Sequence, residues 1–214
     1  MTGVFLTVEG GEGAGKSTII HRIHERLEKQ GYDVLATREP GGSPIAEQIR
    51  KVILDPEHTA MDIRTEALLY AAARRQHLME RVLPHIDKGG VVLCDRFVDS
   101  SLVYQGEARG IGIDPVREIN TFATGGVTPD ATLLFDIEPK QGLERIDRHS
   151  GREFNRLDRE SLAFHEQVRR AYLALLEEEP ERIRRINAGQ PEDEVFEEAW
   201  MIVREVLQRK KGLV

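Results

Sequence analysis

The stretch Gly10-Gly11-Glu12-Gly13-Ala14-Gly15-Lys16-Ser17 matches G-x-x-x-x-G-K-[ST]. Its residue types divide one task. The glycines permit dihedrals that turn successive backbone N–H groups inward around an anion. Lys16 is long enough to reach the outer phosphates of a nucleoside triphosphate, and the Ser17 hydroxyl suits Mg²⁺. A helix that starts here adds the partial positive charge of its N-terminus. Gly10 through Thr18 is therefore the candidate phosphate cradle. The dinucleotide pattern G-x-G-x-x-G cannot be placed on these residues in register.

A second acidic position follows an apolar run, Val91-Val92-Leu93-Cys94-Asp95, and Arg96 comes next. Asp95 is placed to hold Mg²⁺ or its water shell. A hydrolytic motor would carry a second acid where Arg96 stands. An arginine there suits a second anion, although an Asp-Arg pair at a strand end is ordinary by itself. There is no N-K-x-D string for guanine, and the D-x-x-G at Asp87-Lys88-Gly89-Gly90 precedes a strand instead of following one.

These residues need elements to hold them. Apolar, β-prone runs at Val4–Glu9, Asp33–Thr37, Val91–Asp95, Thr132–Ile137 and Ile183–Asn187 predict strands. Three are nearly unbroken apolar runs, as in strands covered on both faces. Between them the spacing predicts helices over Ser17–Gln30, from Asp62 to about Lys88 with a kink at Pro84, over Leu162–Glu179 and over Asp193–Lys210. Asp114-Pro115 reads as an N-cap followed by proline at the first helical position, with Gly125-Gly126 closing that helix. Alternating β and α predicts a mainly parallel sheet with helices on both faces, whose ligands gather at the strands' carboxyl ends.

The 214 residues fit one α/β domain with a small lid at about 145–158. Thirty basic against thirty-seven acidic side chains give a net charge of −7, which argues against a nucleic-acid or membrane-surface binder. No apolar run is long enough to span a bilayer, and the first residues lack the basic flank of a secretory signal. The one cysteine, Cys94, lies in an apolar run and reads as a buried reduced thiol. The expected compartment is the cytoplasm.

Leu93-Cys94-Asp95-Arg96-Phe97-Val98-Asp99-Ser100-Ser101-Leu102-Val103-Tyr104-Gln105 resembles the signature of the thymidylate kinases. Thr37-Arg38-Glu39-Pro40-Gly41-Gly42, Glu66 through Arg74, and Asn155 through Glu160 fit the same family in the same order. The likeness covers essentially the whole chain and is greatest to the bacterial branch. It implies a five-stranded parallel sheet of the P-loop kinase type, a homodimer, and transfer of the γ-phosphoryl of Mg·ATP to dTMP. The alternative within the class is another nucleoside-monophosphate kinase.

The resemblance also implies roles. Arg50 and Arg96 hold the dTMP phosphate, which suits guanidinium forks. Tyr70 stacks on thymine. Arg74, Ser101 and Gln105 meet the edges of the base, with Ser100 beside them. Glu39 faces the sugar or the transfer centre, and Tyr104 lies where a ribose 2′-hydroxyl would crowd it. By residue chemistry alone, Tyr70 suits a core position equally, Arg50 a solvated helix face, and Arg74 a partner acid on a neighbouring turn.

The segment Arg145 to Arg156 is arginine-dense and polar, as a solvated loop would be. One branch of the family carries a basic residue inside the phosphate loop, where this chain has Glu12-Gly13-Ala14. The resemblance therefore implies that the missing charge comes from the lid, from Arg152 first and Arg148 or Arg156 next, with Glu12 pairing to a lid arginine on closure.

Overall fold

The computed structural model describes residues 3–147 and 161–210. Its strands are β1 (Val4–Gly10), β2 (Val34–Arg38), β3 (Val91–Asp95), β4 (Ala131–Asp136) and β5 (Ile183–Asn187). They form one parallel sheet in the order β2-β3-β1-β4-β5. The α-helices of the described residues are α1 (Lys16–Lys29), α2 (Pro44–Leu54), α3 (Ile63–His77), α4 (Leu83–Asp87), α5 (Val98–Ser101), α6 (Ile113–Thr124), α7 (Pro139–Asp147), α8 (Leu162–Glu178) and α9 (Glu192–Lys210), and a π-helical stretch, Leu102–Ala108, continues α5. None of the described helices is long and apolar enough to cross a membrane.

The pleat of β1 sorts its residues between two cores. Val4, Leu6 and Val8 join Ile19, Ile23 and Leu27 of α1 and Phe196, Trp200 and Val203 of α9 in the largest apolar cluster. Phe5 packs on the opposite face with Leu78, Val82, Val92 and Phe97. Thr7 and Glu9 follow Phe5 at period two, so two polar side chains enter that second face fully buried. The three inner strands are nearly all buried, whereas β2 and β5 at the edges are partly exposed.

The segment predicted to kink at Pro84 behaves differently in detail. Asp62 caps α3, its Oδ1 accepting from Arg64 N at 2.9 Å and Thr65 N at 3.1 Å. The chain then widens into one π turn, Leu78–Val82, before α4. A proline inside a regular α-helix costs about 3 kcal/mol, because its ring collides with the carbonyl four residues back. The wide turn removes that collision: Leu83 N reaches back to Leu78 O, and Pro84 becomes an early residue of a new short helix. The expected cap at Asp114 is also corrected. Gly112 is the N-cap, α6 begins at Ile113, and Asp114 and Pro115 lie inside the first turn. Proline is tolerated there because first-turn N–H groups have no partner within the helix. At the other end Gly125, with φ 64°, closes α6 as predicted.

Candidate active site

The parallel sheet brings the carboxyl ends of β1, β2, β3 and β5 to one edge. A cavity of about 750 Å³ opens there. The phosphate loop forms its floor between β1 and α1. Gly13 has φ 70°, and a Cβ on it would lie 2.0 Å from Gly142 O of α7, so no other residue fits. Gly15 caps α1 in the left-handed conformation without a side-chain bond, and Ser17 and Thr18 are exposed on the cavity wall.

Lys16, the first residue of α1, is buried beneath the loop. Its Nζ donates to Gly10 O at 3.0 Å and Gly11 O at 2.8 Å. Burial, helped by the nearby Arg96 charge, lowers its pKa to about 8 against the pull of Asp95, Glu12 and Glu9. An arriving anion would oppose that depression.

Asp95 closes β3, opposite Val8 of β1. Its Oδ1 is buried and has no hydrogen-bond partner among the described residues. An orphaned carboxylate oxygen is costly unless a cation or donor meets it. With the Ser17 hydroxyl it makes a hard-oxygen donor set that fits Mg²⁺.

Arg96 follows with φ 70°, the one described non-glycine residue in the left-handed region. The conformation costs of order 1–3 kcal/mol. It is held by Arg96 N donating to Val8 O at 2.9 Å. The guanidinium lies 5.1 Å from the Tyr104 ring centre. Its Nη1 donates to Ser100 Oγ at 3.2 Å and its Nη2 to Glu12 Oε1 at 2.6 Å. Among the described residues Glu12 is paired with Arg96. The cause is the sheet: β1 and β3 are neighbours, so the loop after one faces the arginine after the other. Arg148, Arg152 and Arg156, the lid arginines expected to meet Glu12 on closure, lie outside the described residues.

On the β2–β3 side the cavity is lined by Glu39, Arg50, Tyr70, Arg74, Ser101 and Gln105. Glu39, expected to face the sugar or the transfer centre, has both oxygens engaged, by Arg74 Nε at 2.7 Å and His77 Nδ1 at 3.0 Å. Arg74 is fully buried. It also donates to Ser101 Oγ at 3.1 Å, to Phe97 O at 2.9 Å and to Asn120 Oδ1. Four of its five N–H groups are thus directed, and one hydrogen on Nη2 remains for the cavity. Its partner acid is not on a neighbouring turn but comes from the end of β2. Arg50 Nη1 donates to Pro40 O at 3.1 Å, and Tyr70 is half-buried. Gln105 Nε2 donates to Glu66 Oε1 at 2.8 Å, which turns its amide oxygen away from Glu66. Tyr104 is buried, with its hydroxyl 3.5 Å from Glu12 Oε1.

On the other side, beyond β4, Arg145, Ala188, Gln190 and Val195 complete the lining. Arg145 donates to Ala188 O at 2.9 Å. Just past the end of β5, Ala188 and Gln190 reach the cavity. Sequence reading missed Glu66, His77 and Asn120, which hold the cavity's polar side chains. Only Glu66 carried a signal, being the sole acid in an otherwise apolar stretch of helix.

A sequence model of a family described as thymidylate kinase matches residues 8–199. The chain is 56% identical over 211 residues to a thymidylate kinase of Bacillus pumilus, covering 99% of this chain and 100% of the relative. It is 59% identical over 196 residues to one of Clostridium novyi, covering 92% and 96% respectively. Among solved structures, the crystal structure of thymidylate kinase from Ehrlichia chaffeensis is similar with a TM-score of 0.77 and 26% identity, covering 95% of this chain and 99% of that one.

Proposed function

This chain belongs to the thymidylate kinase family, ATP-dependent phosphotransferases acting on dTMP, and we propose how its residues divide the work. The chain acts as a single catalytic domain. ATP lies with its phosphates in the loop Gly10–Thr18 and its base toward Ala188 and Gln190. Ser17 and Asp95 would hold Mg²⁺, which would supply positive charge against the phosphates of ATP. dTMP enters from the β2–β3 side, its phosphate on Arg96 and Arg50 and its base against Tyr70, with Arg74, Ser101 and Gln105 at the edges. Lys16 and the lid arginines Arg148, Arg152 and Arg156 stabilise the transferring group. The acceptor phosphate is ionised at neutral pH, so no strong general base is required.

One observation carries the reading. The phosphate loop and the Arg96–Tyr104 segment stand on adjacent strand ends and face the same cavity, large enough for two nucleotides' reacting parts. The test is a coupled assay with Mg·ATP against a panel of monophosphates. dTMP is expected to be the best acceptor and dUMP weaker, with purine monophosphates nearly inert. Equal turnover of AMP or GMP would overturn the assignment.

Tyr104 supports a sugar preference. Its ring is packed against the Arg96 guanidinium and against the rings of Phe164 and Tyr172, at 6.1 and 6.4 Å between ring centres. A wall so held cannot yield to a ribose 2′-hydroxyl. Ribo-TMP should therefore react much more poorly than dTMP, and Tyr104→Ala should narrow the gap. An unchanged ratio in that variant would put the discrimination elsewhere.

The homodimer and the cytoplasmic location belong to the same proposal. Ile45, Leu68 and Phe122, 52%, 56% and 91% exposed, stand on α2, α3 and α6. Those helices pack together, and a second copy is the occupant that the family reading supplies. Cys94 is buried with its thiol pKa raised well above the ordinary range, first by burial, as suits a thiol that stays reduced. No nucleic-acid or membrane partner is proposed for a chain of this net charge.

A further inference from the structure

Glu9 is the last side chain before the phosphate loop, fully buried, and no step above uses it. Four donors converge on its two oxygens. Oε1 accepts from Phe97 N at 2.7 Å and Ser100 N at 3.3 Å. Oε2 accepts from Tyr172 OH at 2.8 Å and from the Ser100 hydroxyl. Phe97 is the N-cap of α5 and supplies no side-chain bond of its own, so an acid from β1 satisfies that helix start. The Ser100 hydroxyl gives its only hydrogen to Glu9, which leaves its lone pairs for Arg96 Nη1.

We propose that Glu9 is the positioning residue for the acceptor arginine, directing Arg96 through the Ser100 hydroxyl and through the backbone of Phe97 and Ser100. The inference rests on the reading that Arg96 holds the dTMP phosphate. It makes a distinctive demand on chemistry. When the group at position 9 becomes a donor on the side of the Ser100 and Tyr172 hydroxyls, by protonation or as an amide, the Ser100 hydrogen loses its acceptor there. It turns elsewhere, with Tyr172 OH at 2.9 Å available to take it. Accepting from position 9 occupies a lone pair of the Ser100 hydroxyl, and the Arg96 guanidinium is held less firmly.

The surroundings set where that happens. Burial raises the Glu9 pKa to about 7, and the Asp99 carboxylate adds to it; Ser100, Arg96 and Tyr172 pull the other way. Besides Asp99, Arg96 and Tyr172, the ionisable groups near it are Lys16 of α1, Cys94 of β3 and Tyr104. The folded carboxyl binds its proton more readily than an ordinary one. Ordered Arg96 is therefore present above pH 7 and is lost as pH falls through that value.

The test is the variant Glu9→Gln, which keeps size and removes charge, beside Ser100→Ala. Glu9→Gln should lower kcat/KM for dTMP roughly tenfold to hundredfold, from the loss of a charge-assisted hydrogen-bond chain, with KM for ATP little changed. Ser100→Ala should produce a similar loss, and the double variant should lose little more than either alone. The wild-type kcat/KM for dTMP should show an ionisation near 7 that Glu9→Gln lacks and that Ser100→Ala, which keeps the carboxyl and its backbone contacts, shows weakened, above the substrate phosphate's own ionisation at about 6, which remains in all of them. Wild-type kinetics in Glu9→Gln, or fully additive losses, would overturn the proposal. If Glu9→Gln does not fold, the pH profiles of wild type and Ser100→Ala decide, and an identical limb near 7 in both overturns it. Failure to phosphorylate dTMP at all would strike the functional reading instead.

Discussion

Replacing Arg96 by alanine is expected to reduce kcat/KM for dTMP by a factor on the order of 10³, the lower end of what single arginines contribute in phosphoryl transfer. Two losses combine. The acceptor phosphate loses a guanidinium pre-oriented by Glu12, Ser100 and the Tyr104 face, and Glu12 keeps a nearly buried carboxylate without its Arg96 partner. Lysine should restore little, since a point charge cannot meet a hydroxyl, a carboxylate and a phosphate in one plane. The backbone gives an independent check. Position 96 is held at φ 70°, so Arg96→Gly should be more stable than Arg96→Ala by about 1 kcal/mol, even though both are inactive. Steady-state kinetics and thermal unfolding read the two effects separately. Activity within tenfold of wild type in the alanine variant would remove Arg96 from the acceptor site.

Lys16→Ala should be at least as severe, with kcat reduced by about 10³ or more and dTMP affinity nearly unchanged. Lys16 is the only basic residue within the phosphate loop motif, and it already sits under the loop with its ammonium on Gly10 O and Gly11 O. Its lowered pKa adds a thermodynamic signature. Near pH 8 about half the ammonium groups of the free protein are deprotonated. Binding a polyanion restores the charge, so nucleotide binding at pH 8 should take up close to half a proton, fading below pH 7. Calorimetry in two buffers of different ionisation enthalpy measures this. The uptake should vanish in Lys16→Met, and its persistence there would assign the proton to another group.

The reach of sequence reading followed the range of the interactions involved. All five strands formed within one residue of their expected ends, because a buried parallel strand is a local apolar run with turn residues at its borders. The phosphate loop is local too. The start of α6 and the π turn ahead of Pro84 were missed, since each is a compromise between a proline ring and tertiary packing that no window of sequence contains. The polar interior was hidden for a different reason. Arg74 draws Glu39 from 35 residues away and Asn120 from 46, and Glu9 meets Tyr172 across 163. Such partners are chosen by topology. A trace was available even so: Thr7 and Glu9 alternate with Leu6 and Val8 on a central strand, and a polar pair on a buried face implies a buried network.

The register between β1 and β3, with Val8 opposite Asp95, has a consequence for inheritance. The phosphate loop and Arg96, in the proposed reading the holder of the acceptor phosphate, leave adjacent rungs of one backbone ladder, so the spacing of their starting points is set by peptide geometry, and side chains only aim the guanidinium from there. Peptide geometry does not mutate. Lineages can exchange most of the residues beneath the site and still transmit the same gauge, as long as no residue is inserted or deleted within those two strands. Divergence in this architecture should therefore accumulate in the loops and helix surfaces that choose the partners of the reaction, while a single-residue slip in β1 or β3 should be the change that descent never tolerates.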